Sequence, residues 1–340
     1  MTDVVNTFVQ NSTGIVELNR PRALNSLNQE MIDIVAKALD DWIDDDQVQQ
    51  IVIYSTSEKA FCAGGDVRAV RESVLQGDVA AGDRYFIDEF AMNDALGNYP
   101  KPIVSVINGV VMGGGLGISM HGSHRVITEK AFASMPEMAI GYVPDVGFSY
   151  FGQRASSLAV ATFLAVTGWH MSPADMLWAG VATHIIDSAD TDSFIEAVIA
   201  DSLETAVEKF AASAAGESEL AGFASQIEET FGLTTWALID EALHNHPDQE
   251  FTSKVRELLS SAAPASVVAT VELMHKNSEA KTLREGLDNE LVLSLHMIRQ
   301  PDFVEGVRAV LVDKDRNAKF QPESFAEVDE SLYAKLLQHS

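Results

Sequence analysis

An apolar strand that runs directly into a group of glycines is the sequence feature that most restricts how this chain folds. The run Ile103 to Ile107 has the composition of a buried strand, and the segment after it contains Gly113, Gly114, Gly115 and Gly117. Glycine lets the backbone turn sharply and leaves a helix start without side chains. The N–H groups of such a helix start can bind a phosphate or a developing oxyanion. The segment therefore predicts strand, tight turn and helix, with close helix packing as the alternative reason for the glycines.

The first half of the chain alternates short apolar runs with a helical pattern. Four runs have the length and composition of strands: Ile15 to Leu18, Ile51 to Tyr54, Ile103 to Ile107 and Arg125 to Thr128. Between the first two, apolar residues recur at the spacing of one helix face: Ile32, Val35, Leu39 and Trp42. This alternation predicts an α/β fold.

The second half has the pattern of packed helices. Strand signals fade after Val181 to Ile186, and Thr282 followed by Glu285 predicts a capping box at a helix start. Four apolar residues after it fall on one helix face: Leu287, Leu291, Leu295 and Ile298. We therefore divide the chain into an α/β core with the active site, residues 1–190, and a helical C-terminal region, residues 191–340.

The strong negative charge of the chain excludes several classes of partner. Its 340 residues include 23 Lys and Arg against 50 Asp and Glu, a formal net charge of −27. Such a chain repels nucleic acids and anionic membrane surfaces. A polyanionic small ligand would bind only where nearby cations make the local electrostatic potential positive. We therefore expect a globular protein with neither nucleic acid nor membrane as a partner.

The cysteine content and the first residues bear on the compartment. Cys62 is the only cysteine, which rules out an intrachain disulfide and favours a reducing compartment. Met1 to Ser12 lacks the basic start and apolar run of a secretory leader. No apolar run approaches the roughly 18 residues that a membrane-spanning helix needs. These features predict a cytoplasmic protein.

A second glycine-containing loop follows the run Ile51 to Tyr54. The segment Lys59 to Asp66 contains Gly64 and Gly65, and adjacent glycines allow a sharp turn that presents an N–H group outward. A plain tight turn is the alternative interpretation of this segment.

Two carboxylates, Glu137 and Asp145, are the candidates for acid, base or nucleophile. Each follows a proline, and mainly apolar residues separate them. An apolar environment changes the proton affinity of a carboxyl group, and two such groups can supply a nucleophile and an acid or base. With the glycine N–H groups they predict acyl chemistry on a carbonyl substrate, although an exposed turn is the alternative interpretation of either carboxylate alone.

The histidines do not indicate a metal site. His121 and His124 are accompanied by no third ligand, so no metal site is predicted.

Taken together, these segments resemble the crotonase (enoyl-CoA hydratase/isomerase) superfamily. Three segments are similar to its signatures: Asn19 to Asn25, Ala60 to Asp66 and Pro102 to Gly117. Three others resemble its 3-hydroxyisobutyryl-CoA hydrolase subgroup: Gly109 to Gly122, Met135 to Gly147 and Phe303 to Asp315. The resemblance covers nearly the whole chain. It implies a superhelix of stacked β-β-α turns, followed by a helical C-terminal region.

The resemblance also implies roles for individual residues. The N–H groups of Gly65 and Gly114 would form an oxyanion hole for a thioester carbonyl. Glu137 matches the catalytic glutamate of the superfamily, and Asp145 lies where the hydrolase subgroup has an aspartate. Glu89 resembles a further substrate-contacting acid of that subgroup. Other substrate-binding residues are expected in the matching loops: Arg22, Ala63 and Asp66.

The substrate that the resemblance implies is an acyl-CoA, with CoA as part of the substrate and no separate cofactor. Because both CoA and the chain are anionic, local cations must bind the phosphates of CoA. Arg22 is the first candidate, and Arg68 and Lys101 are weaker ones, with a solvated surface charge as the alternative for each. The superfamily includes trimers and hexamers, which leaves a homo-oligomer open.

Two departures from the superfamily pattern bear on the reaction. Hydratases usually have a second catalytic glutamate where this chain has Gly117, so the resemblance implies hydrolysis of a short 3-hydroxyacyl-CoA, 3-hydroxyisobutyryl-CoA in valine degradation. Glu137 would attack the carbonyl or deprotonate a water, and Asp145 would orient that water or the substrate hydroxyl. Phe148 and Ser149 replace two glycines of the hydrolase subgroup, which affects the acyl pocket. The alternatives are an enoyl-CoA hydratase or isomerase and a non-catalytic CoA-binding protein.

Overall fold

A computed structural model describes residues 3–212 and 216–338. The chain forms two compact units, each assembled from several segments. Unit 1 contains the described residues of Met1–Gly65, Ala91–Ala133 and His170–Glu219. Unit 2 contains those of Asp66–Phe90, Ser134–Trp169 and Leu220–Ser340. The predicted boundary between residues 190 and 191 stays a prediction.

The strands and helices of the described residues alternate in the first half, and helices dominate the second half. The strands are β1 (Val5–Gln10), β2 (Thr13–Leu18), β3 (Gln50–Ser55), β4 (Ala60–Cys62), β5 (Ile103–Ile107), β6 (Val110–Met112), β7 (His124–Thr128), β8 (Phe132–Ser134) and β9 (His184–Ile186). The helices up to the end of β9 are α1 (Gln29–Ile43), α2 (Val67–Leu75), α3 (Val79–Gly97), α4 (Gly114–Met120), α5 (Phe148–Ala155), α6 (Leu158–Thr167) and α7 (Pro173–Trp178). The later helices are α8 (Thr191–Ala200), α9 (Leu203–Phe210), α10 (Glu219–Gly222), α11 (Ala224–Phe231), α12 (Trp236–Asn245), α13 (Gln249–Leu259), α14 (Pro264–Ser278), α15 (Leu283–Met297), α16 (Pro301–Val307) and α17 (Glu330–Leu337). Short 3-10 turns are at Pro21–Ala23, Glu137–Ile140, Ser188–Asp190 and Phe325–Glu327, and a π-helical turn is at Arg308–Val312.

A six-stranded sheet forms the centre of unit 1, in the order β1-β2-β3-β5-β7-β9. β1 pairs antiparallel with β2, and every other neighbouring pair is parallel. Parallel strands are covered on both faces, which is why they appear in the sequence as near-continuous apolar runs. The four predicted strands are confirmed, as β2, β3, β5 and β7. A second sheet has the order β4-β6-β8.

Helices α8 and α9 cover one face of the six-stranded sheet. The sheet contributes buried branched aliphatic residues to this core: Ile15, Val52, Val104, Val106, Val126 and Ile186. The helices contribute the opposing apolar side chains: Phe194, Ile195, Val198, Ile199, Leu203 and Ala206. Burial of this apolar area is the main term that stabilises the sheet.

The predicted amphipathic helix between the first two apolar runs is α1. Its start is capped by Asn28, whose side chain accepts a hydrogen bond from the Met31 N–H at 3.0 Å. The four apolar residues that predicted it are all buried: Ile32, Val35, Leu39 and Trp42. The three-four-three spacing is therefore confirmed as the buried face of this helix.

The predicted helix after Thr282 is present as α15, but the predicted capping box is wrong. The Thr282 hydroxyl accepts from the Glu285 N–H at 3.2 Å, whereas the Glu285 carboxylate accepts from the Lys281 N–H at 2.6 Å. The reciprocal bond of a capping box is therefore not made to Thr282. Leu291 and Leu295 are only half-buried. The fully buried side includes polar groups at Glu290 and Ser294, because α15 packs against α5, α14 and α17.

No single helix in residues 3–212 and 216–338 has the length and apolar character needed to cross a membrane. One bent pair of helices, α13 with α14, meets the criterion by length and composition only.

Candidate active site

The two glycine-containing loops lie side by side in unit 1. β4 and β6 are parallel neighbours, so the loops that follow them leave the same edge of their sheet. The loop after β4 contains Gly64, at φ +106°, and Gly65, while the loop after β6 begins with Gly113, at φ +44°. L side chains rarely adopt such positive φ values, which explains the glycines at positions 64 and 113.

Close backbone approach explains the next glycines and exposes two N–H groups. A Cβ on Gly115 would lie 2.2 Å from the carbonyl oxygen of Cys62, so only glycine fits there. Gly114 is the first residue of α4, and an N–H at a helix start has no acceptor in the preceding turn. Among the described residues, the N–H groups of Gly65 and Gly114 donate no hydrogen bond to the protein. Both donors can therefore serve a ligand oxygen.

The loop that contains Arg22 packs beside the first glycine loop. The Ala63 N–H donates to the carbonyl of Leu24 at 3.0 Å, and the Leu27 N–H donates to the carbonyl of Gly64 at 2.8 Å. Arg22 is exposed in its short turn. The structure therefore places two of the predicted substrate-binding residues, Arg22 and Ala63, in adjacent loops of unit 1.

The other predicted cations have different surroundings. The Lys101 ammonium donates to the carbonyl oxygens of Trp42 and of Asp45, the second at 2.8 Å. Lys101 therefore connects backbone segments of unit 1 and is already engaged. In unit 2, Asp66 immediately precedes α2, and Arg68 is exposed in its first turn.

Unit 2 brings Glu89, Glu137 and Asp145 together in its interior. Their exposed fractions are 2%, 7% and 4%. Glu89 belongs to α3, Glu137 begins the 3-10 turn after β8, and Asp145 precedes α5. The Tyr142 hydroxyl donates to Asp145 Oδ2 at 3.0 Å. Three acids that are far apart in the sequence thus form one buried group, which we call the carboxyl cluster.

Aromatic packing joins the helix of Glu89 to the partner of Asp145. Phe86, one turn before Glu89, stacks on Tyr142 with ring centroids 5.2 Å apart. Phe303 packs on Tyr142 at a centroid distance of 5.9 Å. Tyr142 was not predicted from the sequence. The feature that could have indicated it is its position in an apolar segment, three residues before Asp145.

Burial makes ionisation of the carboxyl cluster costly. It raises the pKa of Asp145 to about 7, although the hydrogen bond from Tyr142 opposes this rise. Burial, and then the charge of Asp145, raise the pKa of Glu137 and that of Glu89 well above the ordinary range. Within the described residues, Glu89 Oε1 and Glu137 Oε2 make no hydrogen bond. The cluster therefore holds protons near neutral pH, with Asp145 as the member that most readily ionises.

Glu290 of α15 is another buried carboxyl of unit 2, and the sequence analysis missed it. Its Oε2 accepts from the Gly147 N–H at 2.6 Å, and its Oε1 accepts from the Ser149 N–H at 3.0 Å and from the Ser149 hydroxyl. Burial raises the pKa of Glu290 to about 8, and these donors oppose the rise. The feature of the sequence that could have indicated a buried Glu290 is its spacing of three residues from both Leu287 and Leu293. This helical spacing places the acid among buried apolar residues.

Of the two positions that we expect to differ from the hydrolase subgroup, Phe148 and Ser149, the serine takes part in this network. Both side chains are fully buried. Ser149 supplies a hydroxyl donor to Glu290 that glycine lacks. Ser149 therefore supplies a bond that holds the start of α5.

The raised pKa of Asp145 predicts how stability depends on pH. The folded protein keeps a proton at about pH 5 that an unfolded Asp, with its pKa near 3.9, has released. Stability from this proton is complete below about pH 4 and is lost as the pH rises through about 7. We expect this proton alone to lower the free energy of unfolding by up to about 1.4 kcal/mol per pH unit between about pH 5 and pH 7, in addition to the slope from the other buried carboxyl groups. Urea denaturation at several pH values measures this slope.

The control for that prediction is Asp145→Asn, which has no titratable proton at this position. Its slope between about pH 5 and pH 7 is expected to be smaller than the wild-type slope. An equal slope in the two proteins would contradict a raised pKa at Asp145.

Potential metal ligands have other roles in the described ranges. No three His, Cys, Asp or Glu side chains within 3–212 and 216–338 are arranged to hold a metal ion. His124 stacks on His184, with ring centroids 5.4 Å apart. Burial lowers the pKa of both histidines, so the stacked pair is neutral at neutral pH.

Comparison with known proteins places the chain in a family. The profile of the enoyl-CoA hydratase/isomerase family matches residues 13–337. A Xenopus laevis protein named 3-hydroxyisobutyryl-CoA hydrolase, mitochondrial, is 38% identical over 329 residues, which cover 93% of this chain and 84% of that protein. The Homo sapiens protein of the same name is 35% identical over 330 residues, with coverage of 94% and 84%. Those names refer to mitochondria, whereas the cytoplasmic location of this chain stays a prediction.

Solved structures confirm the predicted fold. A carnitinyl-CoA dehydratase from Mycobacterium thermoresistibile is 35% identical, with a TM-score of 0.92 and coverage of 99% of this chain and 96% of that chain. An enoyl-CoA hydratase from Rhodobacter sphaeroides is 33% identical, with a TM-score of 0.89 and coverage of 99% and 97%. The α/β core and the helical C-terminal region are thus those of a crotonase-type fold. Because the family profile, the relatives and the solved structures all match along nearly its full length, this chain belongs to the enoyl-CoA hydratase/isomerase family.

Proposed function

We propose that this protein hydrolyses a short 3-hydroxyacyl-CoA thioester, 3-hydroxyisobutyryl-CoA, to 3-hydroxyisobutyrate and CoA. The observation that carries the proposal is the buried pair of Glu137 and Asp145, in a chain whose helix α4 has glycine at position 117. Adding water across a double bond requires a base that activates the water at one carbon and an acid that protonates the other, whereas thioester cleavage requires one activated oxygen. The similarity to relatives named 3-hydroxyisobutyryl-CoA hydrolase supports the same reaction.

Gly65 and Gly114 are the proposed oxyanion donors. Their N–H groups have no protein acceptor among the described residues, so they are available to the thioester oxygen. Donors of this kind bind the tetrahedral oxyanion more strongly than the ground-state carbonyl, which lowers the barrier. One such donor typically contributes about 2.7–4 kcal/mol to transition-state stabilisation.

Glu137 is the proposed nucleophile or general base, and Asp145 is its proton partner. Either role requires the carboxylate of Glu137, yet burial and the charge of Asp145 raise its pKa. Asp145, with its pKa near 7, is the neighbouring group that can accept the proton as Glu137 ionises. Glu137 then attacks the thioester carbon to form a mixed anhydride or removes a proton from the attacking water. The C–S bond breaks as the tetrahedral intermediate collapses, and the sulfur takes the proton held by Asp145 and leaves as the thiol of CoA. In the anhydride route, a water molecule then attacks the anhydride, which releases 3-hydroxyisobutyrate and restores the carboxylate of Glu137.

The test is thiol release from 3-hydroxyisobutyryl-CoA and 3-hydroxypropionyl-CoA, with crotonyl-CoA consumption assayed beside it. The wild type is expected to release thiol from the hydroxyacyl thioesters. Asp145→Asn is expected to slow this release by about 10²- to 10³-fold, because Asn cannot accept the proton of Glu137. Rapid crotonyl-CoA consumption without thiol release would contradict the proposal and indicate a hydratase.

An enoyl-CoA hydratase or isomerase is the second candidate function. The similarity to two solved proteins, a carnitinyl-CoA dehydratase and an enoyl-CoA hydratase, favours it. In that reaction Asp145 would replace the glutamate that is absent at Gly117. A non-catalytic CoA-binding role is a third candidate, which would be favoured if acyl-CoA bound to the protein but Glu137→Gln changed no turnover.

Several finer assignments accompany the proposed function. CoA arrives with the substrate, and the reaction uses no separate cofactor. Arg22 is the proposed cation for the CoA phosphates, while Glu89, Ala63 and Asp66 are proposed to contact the substrate. With this substrate the proposed reaction belongs to valine degradation, the proposed location is the cytoplasm, and a homo-oligomer is left open.

A further inference from the structure

The backbone between Asp145 and helix α5 is strained. Val146 has φ +56° and Gly147 has φ +85°. The left-handed region is unfavourable for a β-branched residue and persists only where the surroundings enforce it. Val146 is fully buried, and the Gly147 N–H beside it donates to Glu290 at 2.6 Å. Glu290 therefore holds the strained turn at its C-terminal end.

We propose that Glu290 is a positioning residue for the reaction, because its hydrogen bonds fix the turn that directs the carboxyl group of Asp145. The inference rests on the proposed function, which gives Asp145 its role. The turn is closed by the Phe148 N–H, which donates to the Asp145 carbonyl at 2.9 Å. Its conformation brings Asp145 Oδ2 within 3.0 Å of the Tyr142 hydroxyl. Glu290 contacts the backbone of this turn and acts through Asp145.

The hydrogen-bond directions around Ser149 make both oxygens of Glu290 acceptors. Asn277 Nδ2 donates to Ser149 Oγ at 2.5 Å and to the Gly286 carbonyl at 3.1 Å. Since a serine hydroxyl has one hydrogen, Ser149 donates it to Glu290. Asn289 Nδ2 donates to Asn277 Oδ1 at 2.7 Å and so orients this amide. The network thus directs donors at both oxygens of Glu290, and a carboxyl group has an acceptor oxygen on each side.

Glu290→Gln tests the proposal with little change in side-chain volume. The amide has one acceptor atom, so it cannot accept from both Gly147 and Ser149. We expect kcat for the hydroxyacyl thioester to fall by about 10- to 100-fold, as for other small misplacements of a catalytic group. KM should change by less than about threefold, because both oxygens of Glu290 are already bonded to Gly147 and Ser149. In an Asp145→Asn background the same substitution should lower kcat by less than about twofold, since the group that it positions is already lost.

Two further variants keep the test falsifiable. Asp288→Asn removes an exposed carboxylate from the same helix, which pairs with Arg284, and should leave kcat unchanged. If Glu290→Gln does not fold, Ser149→Ala removes one donor to Glu290 and retains both N–H bonds. It is expected to lower kcat by about 3- to 10-fold, again only when Asp145 is present.

Two outcomes separate this inference from the proposed function. Equal losses of kcat in the wild-type and Asp145→Asn backgrounds would overturn the positioning role, because a general structural defect lowers both rates alike. No thiol release by the wild type would instead overturn the proposed function. Wild-type thiol release, with a loss of kcat confined to the background that retains Asp145, supports both.

Discussion

Replacing Glu137 by Gln is expected to lower the rate of thioester hydrolysis by about 10⁴-fold while the protein stays folded. An amide is neither a carboxylate nucleophile nor a general base, and such groups typically contribute at the upper end of about 10²- to 10⁴-fold. The change preserves shape at a residue that is 7% exposed and whose Oε2 has no hydrogen-bond partner in the described part of the chain. Stability should therefore be retained. Single-turnover thiol release from 3-hydroxyisobutyryl-CoA measures the effect.

The matched control is Glu257→Gln, the same substitution at an exposed position of α13. This variant should retain the wild-type rate, because residue 257 is exposed and distant in sequence from the cluster. Binding of CoA, measured by calorimetry, should be similar in the wild type and both variants. A Glu137→Gln rate above a tenth of the wild-type rate would assign Glu137 to the pocket wall rather than to the reaction.

Replacing Gly306 by Ala is expected to destabilise the protein by about 3 kcal/mol, the upper part of the usual range for overpacking. A Cβ at this position of α16 would lie 2.3 Å from the carbonyl carbon of Ile140 and 2.5 Å from its Cα. Those atoms belong to the backbone of the 3-10 turn that begins at Glu137, so they cannot move aside as a flexible side chain can. The backbone displacement that the new Cβ forces should also move Glu137. The rate of hydrolysis should therefore fall together with stability. Urea denaturation measures the first effect and thiol release the second.

Gly222→Ala is the control for that experiment. Gly222 ends the short helix α10, and a Cβ there would meet no atom within 4 Å. Because Ala favours helix over Gly by about 1 kcal/mol, this variant should be as stable as the wild type or slightly more stable. If Gly306→Ala were as stable as this control, the close packing of α16 on the Glu137 turn would be refuted.

The sequence alone predicted the strands, helices and loops that depend only on residues close together in the chain. Strands such as β5 were recognisable because a parallel strand is buried on both faces and its residues are apolar almost throughout. Helix α1 was recognisable because its buried residues repeat with the helical period. The glycine loops could be predicted for a similar reason, since the positive φ of Gly64 and the close approach at Gly115 restrict the residue type at a single position.

The tertiary structure decided which acids face one another and which groups support them. Glu290 is 143 positions from Gly147, and no local pattern relates an acid on one helix to a backbone N–H at the start of another. Tyr142 is close in sequence to Asp145, yet only the folded turn directs its hydroxyl to that carboxylate. The apolar residues that predicted α15 are buried unequally, with Leu291 and Leu295 only half-buried, because burial depends on the neighbours of the helix. Residue type and period are properties of the chain, whereas burial and the pKa of an acid arise from distant segments that pack around it.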